Sequence, residues 1–299
     1  SPPLSLPMKS TLTTPLRYPG GKSKWIDLLY EYLPDMRKYE EYREPFLGGG
    51  SMAIEITKRY PDMRIWVNDL YPALYNFWTQ LQSSGAEMSE RLLKIKDSCV
   101  SSEVAKTTLG EQKEIINDDT SSKFDKAVAF YYANKNSFSG LTETGTFSES
   151  AHEMTFTRQN IMKLASFQKL IRNWKITNED YSVLLEKPDN SFAYAYVDPP
   201  YSLDKQNSNN LYGKRGSMHE GFDHDLFAKR CNESGMDCMI SYNADQSVKD
   251  RFDGWEQTEL DWTYTMQSVG EYMEKQKDRK ELLLMNYKVE RGSLESFFA

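Results

Sequence analysis

Phe192-Ala193-Tyr194-Ala195-Tyr196-Val197-Asp198-Pro199-Pro200-Tyr201 is the stretch that decides the fold. Its first part is apolar and aromatic with no polar alternation, the pattern of a strand buried on both faces. Such a strand belongs to a mainly parallel sheet covered by helices, and in open sheets of this kind ligands bind beyond the strands' carboxyl ends. The Asp-Pro-Pro-Tyr that follows therefore falls where a site is expected, and its chemistry suits holding a planar amine for attack on an electrophile. Asp198 and the Pro199 carbonyl are acceptors for the N–H groups of an exocyclic amine. Pro199 and Pro200 lack backbone donors and fix their own φ, so the acceptors are held still and no competing N–H is presented. Tyr201 offers a flat face for a heteroaromatic base. The same tetrapeptide also reads as an ordinary strand-to-loop turn in which Asp198 merely caps.

Outward from this strand the chain alternates. Further strands are expected at Tyr42–Phe46, Ile65–Val67, Trp174–Thr177, Asp237–Ser241, Gln257–Thr265 and Glu281–Tyr287. Helical patterns follow most of them, at Ser51–Arg59, Tyr71–Leu81 and from Asp223, a plausible N-cap, through Asn232. Alternation of this kind specifies an α/β fold with a mainly parallel sheet. Between about Gln82 and Thr157 it lapses into polar, helix-forming sequence such as Glu87–Lys96 and Phe124–Ala133. That reads as an inserted domain, or as covering helices of the main domain.

A second constellation is Glu44-Pro45-Phe46-Leu47-Gly48-Gly49-Gly50-Ser51, a strand end running through glycines into a helix. Glycines let the backbone approach a ligand closely, and the helix N-terminal N–H groups face its polar atoms. The spacing is a variant of the dinucleotide fingerprint, with Ala53 at the last position. Asp69 ends the next strand, where an acid accepts hydrogen bonds from ribose hydroxyls or caps the helix after it. Gly21-Lys22-Ser23 invites a phosphate-loop reading, but Leu16 stands where that motif requires glycine and no strand precedes it. What remains there is Tyr18 as an apolar wall and Lys22 as a point charge beside a ligand carboxylate.

Composition sets outer bounds. The 299 residues, 39% hydrophobic and 27% charged, suffice for one large domain or a domain with an insertion, and no apolar run reaches membrane-spanning length. Ser1–Pro7 resembles an expression scar or a flexible leader, with Met8 as a possible native start. Cys99, Cys231 and Cys238 and the three scattered histidines lack metal-ligand spacing, which implies a reducing, cytoplasmic compartment and no structural metal. The net charge of −7 argues mildly against a nucleic-acid partner, but a local basic face can coexist with acid elsewhere. Arg17, Lys22 and Lys24, Lys135, and Lys205, Lys214 and Arg215 are where basic residues concentrate.

Together, Tyr18-Pro19-Gly20-Gly21-Lys22, Pro45-Phe46-Leu47-Gly48-Gly49-Gly50-Ser51, the strand ending in Asp69, Asp198-Pro199-Pro200-Tyr201 and Glu281-Leu282-Leu283-Leu284-Met285-Asn286-Tyr287 resemble the Dam-like family of DNA adenine-N6 methyltransferases, in that family's motif order. The resemblance runs from Leu16 to Tyr287. It implies a Rossmann-like, S-adenosylmethionine-dependent catalytic domain formed by 9–81 and 158–299, with a mainly helical target-recognition insertion at 82–157. By the same match Tyr18, Lys22, Asp69 and Asp198 take cofactor-contacting positions, Phe46, Gly48 and Gly50 line the methionine side, and Asp180 and Tyr181 sit near the cofactor adenine.

The implied reaction is site-specific transfer of a methyl group to adenine N6 in double-stranded DNA by a monomer. The nucleotide is extruded from the stack, Tyr201 stacks on it, and Asp198, Pro199 and Pro200 frame its amine, with no metal and no covalent enzyme intermediate. Cytosine-N4 or RNA amino-methylation and a catalytically silent DNA-binding relative are the alternatives; no Pro-Cys nucleophile supports attack on a cytosine ring carbon. Asn134 to Leu141 resembles the family's turn that enters DNA, making Lys135, Asn136, Phe138, Ser139 and Glu143 candidate DNA contacts. Ser139 replaces the family's usual Asn, and Glu143 stands where GATC-type enzymes carry an Arg suited to guanine. The basic stretch Asn207–Gly221, with Arg215, has the composition of a loop that orders over DNA.

Overall fold

The computed structural model describes residues 11–17, 25–140, 142, 145–202, 221–261 and 280–289. Among them, β1 (Glu41–Glu44), β2 (Arg64–Asn68), β3 (Lys175–Thr177), β4 (Ala193–Val197), β5 (Asp237–Asn243), β6 (Glu256–Leu260) and β7 (Glu281–Met285) form one sheet in the order β3-β2-β1-β4-β5-β7-β6. Pairing is parallel from β3 to β5, whereas β7 runs antiparallel to both β5 and β6. This is the expected α/β sheet. All five residues of β4 are buried, as are all five of β7, in keeping with strands covered on both sides.

Side-chain alternation sorts the core into two layers. Tyr194, Tyr196, Met239, Leu283 and Met285 point to one side, where they join a large cluster containing Ile54, Trp78, Leu92, Tyr131 and Leu164. Ala195, Val197, Ile240, Tyr242, Leu282 and Leu284 point to the other and pack with Phe227, Cys231, Val248 and Phe252. The first layer is supplied by α2 (Ser51–Arg59), α3 (Pro72–Ser98), α5 (Lys123–Asn136) and α7 (Arg158–Leu170), the second by α8 (His224–Ser234) and α9 (Gln246–Arg251). The short α1 (Ile26–Tyr30), α4 (Ser102–Asn117) and α6 (Glu149–Thr155) complete the described helices.

The expected helix ends at Ser51–Arg59 and the Asp223 cap are matched, the latter accepting from the Leu226 amide at 2.9 Å. The helix expected at Tyr71–Leu81 is longer: α3 continues to Ser98, with a break at Ser84 (φ −144°, ψ 28°). It thus crosses the start of the 82–157 segment, and Met88, Leu92, Leu109 and Phe156 of that segment share the core that holds Tyr42 and Tyr194 of the sheet. The last residues of the strand expected at Gln257–Thr265 lie outside the described residues. Among the described residues, no helix is long and apolar enough to cross a membrane, and no three His, Cys, Asp or Glu side chains gather as a metal site.

Candidate active site

β1 lies between β2 and β4. The chain leaves β1 towards β2 and β3, while β4 and β5 extend the sheet the other way, so the carboxyl ends of β1 and β4 flank a topological switch point. The loop after β1 and the Asp-Pro-Pro-Tyr after β4 meet there. They frame an open cleft lined by Glu44, Phe46, residues 47–52, Tyr196 and Asp198.

The glycine loop is held from several sides. The Leu47 amide donates to the Asn68 carbonyl at 2.9 Å, the Asn68 side chain donates to the Pro45 carbonyl at 3.1 Å, and Trp78 Nε1 donates to the Gly48 carbonyl at 3.0 Å. Gly50 precedes α2 in the left-handed region (φ +72°), and a Cβ there would lie 2.9 Å from the Trp78 ring. Glycine is required on both counts.

Asp69 ties the loop to β2. Its carboxylate accepts from the Gly48 amide and the Tyr71 amide, each at 3.0 Å. Burial pushes its pKa up to about 6, against the pull of those two donors. One carboxylate thus shapes the glycine loop from the end of β2, while the N-cap of α3 is Tyr71, without a side-chain cap bond. Glu44 is more strongly perturbed. It is 2% exposed, and burial together with the nearby Asp198 charge raises it to about 8, despite hydrogen bonds from the Tyr42 hydroxyl at 2.5 Å and the Ala53 amide. At neutral pH, Glu44 is a protonated acid beside Asp198.

An aromatic wall closes one side. Phe46 stacks on Tyr181 with centroids 5.3 Å apart and an interplanar angle of 28°, and meets Phe222 edge-on at 5.9 Å. Asp180 caps the turn that begins with Tyr181, accepting from the Ser182 amide, and pairs with Arg230 at 3.1 Å. Arg230 also lies 5.4 Å from the Tyr181 ring centre. Across the cleft lies the buried side chain of Tyr196. Tyr201 donates to Glu281 at 2.6 Å.

The turn expected to enter DNA begins at the end of α5. Phe138 is 43% exposed, its amide donates to the Thr146 carbonyl at 2.8 Å, and Ser137 bridges to Phe147, so the two ends of the segment pair antiparallel. Ser139 lies in the one-turn helix Phe138–Gly140, which Gly140 closes at φ +73° against the Arg17 backbone. Lys135 and Asn136 require correction. They were expected at the surface, but they are 6% and 0% exposed, because every residue of α5 from Ala127 to Asn136 is buried. The Lys135 ammonium lies 5.4 Å from the Tyr131 ring centre, and burial beside Arg17 and Lys163 lowers its pKa to about 7. Asn136 bonds His152 Nδ1 and the Tyr132 carbonyl. These two side chains are the footing of the turn. Tyr18, Lys22, Glu143 and Arg215 lie outside the described residues.

A family model described as D12 class N6 adenine-specific DNA methyltransferase matches residues 18–266. The chain belongs to this class. Among curated proteins, this D12-class chain is 27% identical over 296 residues to the type II methyltransferase M.MjaIII of Methanocaldococcus jannaschii, covering 91% of this chain and 98% of the relative. It is 24% identical over 242 residues to the type II methyltransferase M1.LlaDCHI of Lactococcus lactis subsp. cremoris, covering 75% and 79%. As a D12-class DNA methyltransferase it places Glu44, Tyr196 and Glu281 in or behind its cleft, and none of the three was singled out from sequence. An acid opening the fully buried Glu281–Met285 strand was the one available signal.

Proposed function

We propose that this DNA methyltransferase transfers a methyl group from S-adenosylmethionine to adenine N6 in double-stranded DNA, acting on a nucleotide extruded from the duplex. One observation carries the reading: Asp198, the first residue of the Asp-Pro-Pro-Tyr turn, and the glycine loop line one cleft at the switch point of the sheet. The donor and acceptor set fits the cofactor. Asp198 suits its cationic groups, Asp69 its ribose hydroxyls, Phe46 its methionine side and Tyr181 its adenine, while Glu44 and Tyr196 line the same cleft. Gly48 and Gly50 allow close approach, Asp180 braces Tyr181, and Tyr18 and Lys22 complete the set by resemblance. The cofactor supplies an electrophilic methyl group on a sulfonium.

The protein's part is to make a poor nucleophile competent. The lone pair of an aromatic amine is delocalised into its ring. Asp198 and the Pro199 carbonyl accept the amine hydrogens and favour a pyramidal nitrogen, and Pro200 keeps the turn rigid. Tyr201 stacks on the extruded base, recovering part of the unstacking cost. We assign target recognition to 82–157, with Phe138, Ser139, Glu143 and Arg215 towards DNA, the rest of 9–299 to catalysis, and a monomer in the cytoplasm as the acting form. Asp198→Ala should stay folded and abolish transfer of labelled methyl groups to duplex DNA. Turnover within about tenfold of wild type, or about 1.4 kcal/mol of barrier, would overturn the role.

A further inference from the structure

β7 is antiparallel to β5, so its first residue stands at the same sheet edge as the carboxyl ends of β4 and β5. That residue is Glu281, 1% exposed and opposite Asn243 in the β5–β7 register. One of its carboxylate oxygens accepts from the Tyr201 hydroxyl at 2.6 Å and the other from the Ser241 hydroxyl. Beside it, Asn243 accepts from the Ser202 amide at 2.8 Å and donates to the Ser202 carbonyl at 3.0 Å. The end of the Asp-Pro-Pro-Tyr turn is thus gripped twice, at the tip of Tyr201 by Glu281 and at the next backbone unit by Asn243.

From this juxtaposition we infer that Glu281 is a positioning residue for methyl transfer, fixing the angle of the Tyr201 ring so that it receives an extruded base. The inference rests on the reading of Tyr201 as the stacking ring. Two prolines make the turn stiff, but they leave the aromatic side chain free to rotate about its own bonds, and a ring that stacks must not swing. A short hydrogen bond to a buried carboxyl group removes that freedom. Ser241 occupies the second oxygen and holds the carboxylate itself in place. Asp198 and Tyr201 are then set by different strands: the acid by β4, and the ring by β7 reaching across β5. Glu281 touches no reacting atom.

The test compares Glu281→Ala, Glu281→Gln, Tyr201→Phe, Tyr201→Ala and the double variant Tyr201→Phe/Glu281→Ala. Each is assayed for kcat, for KM towards S-adenosylmethionine and DNA, and for fluorescence of a duplex carrying 2-aminopurine at the target position. Tyr201→Phe and Glu281→Ala should each lower kcat by about tenfold with the cofactor KM unchanged, and the double variant should lose no more than the worse single one. Fluorescence from the extruded base should fall in both, and Glu281→Gln, which keeps an acceptor, should recover most of the loss. Multiplying losses in the double variant, or full activity in Tyr201→Phe, would overturn the inference. Should Glu281→Ala not fold, Tyr201→Phe against Glu281→Gln decides, since the first removes the same hydrogen bond and leaves the buried acid intact. Tyr201→Ala separates the two readings: full activity there refutes stacking by Tyr201, whereas a dead Tyr201→Ala beside a fully active Tyr201→Phe refutes positioning alone.

Discussion

Glu44→Gln offers a direct check on the electrostatics of the cleft. The substitution keeps the side chain's volume and an acceptor for the Tyr42 hydroxyl, and removes only the ionisable group. In the fold Glu44 titrates at about 8 against an ordinary 4.5, chiefly because it is buried and secondarily because Asp198 is near. Its folded pKa lies above its unfolded one, so the folded state binds the proton more tightly. The stability it contributes is complete below about pH 4.5 and is lost as pH rises through about 8. At about 1.4 kcal/mol per unit, the full loss is on the order of 5 kcal/mol, of which roughly 1–2 kcal/mol falls between about pH 7 and pH 9. For a protein of this size that corresponds to about 3–5 °C in the unfolding midpoint. Thermal unfolding followed by circular dichroism, without cofactor, should show the wild type losing that much more than Glu44→Gln over the interval. Lys135 also titrates in this window, but equally in both proteins, so the difference between them isolates Glu44. Asp198→Asn should give an intermediate slope, because it removes the smaller of the two causes. Superimposable pH dependences of wild type and Glu44→Gln would refute a neutral, buried Glu44.

Asp69, at about 6, should make S-adenosylmethionine binding weaken as pH falls through that value, by about tenfold at about pH 5 relative to about pH 7, with Asp69→Asn flat by calorimetry. Gly50→Ala combines a left-handed backbone with a 2.9 Å approach to Trp78, and urea unfolding should show a loss of about 1–3 kcal/mol. Asn134→Ala strips the Arg17 amide and the Gly140 carbonyl of their partner, which predicts a loss of about 1–3 kcal/mol in the same assay together with weaker duplex binding in titrations.

What was legible in the sequence follows from how local each cause is. The β4 run announces itself because every one of its side chains is apolar or aromatic, and the glycine loop fixes the start of α2 because only Gly50 tolerates that backbone. Tyr71–Leu81 was too short an estimate for α3, because the apolar positions that continue it, Met88 and Leu92, are diluted by exposed charged residues. Lys135 and Asn136 misled for a different reason. A lysine near a turn is ordinarily solvated, and the burial of every residue of α5 from Ala127 to Asn136 is a tertiary fact that no helical period records. Glu281 is hidden in the same way, since its partners Ser241 and Tyr201 are 40 and 80 residues away in the chain.

The turn proposed to face DNA rests on a buried footing. The Arg17 amide donates to Asn134 Oδ1 at 2.8 Å, Asn134 Nδ2 donates back to the Arg17 carbonyl at 2.5 Å and on to the Gly140 carbonyl at 3.1 Å, and the Arg17 guanidinium reaches the Ser137 carbonyl at 2.7 Å. The backbone of residue 17 is therefore locked to both ends of the turn that carries Phe138. The next residue in the chain is Tyr18, which opens the segment proposed to meet the cofactor. The two segments leave one hydrogen-bonded junction, and around it Asn134, Lys135 and Ser137 are all buried. Displacing the turn without disturbing residue 17 would break several buried bonds at once, each costly when left unmade. The segment proposed for target recognition shares both its core and this junction with the sheet, and is therefore built to hold a fixed register to the cleft, not to swing on a linker.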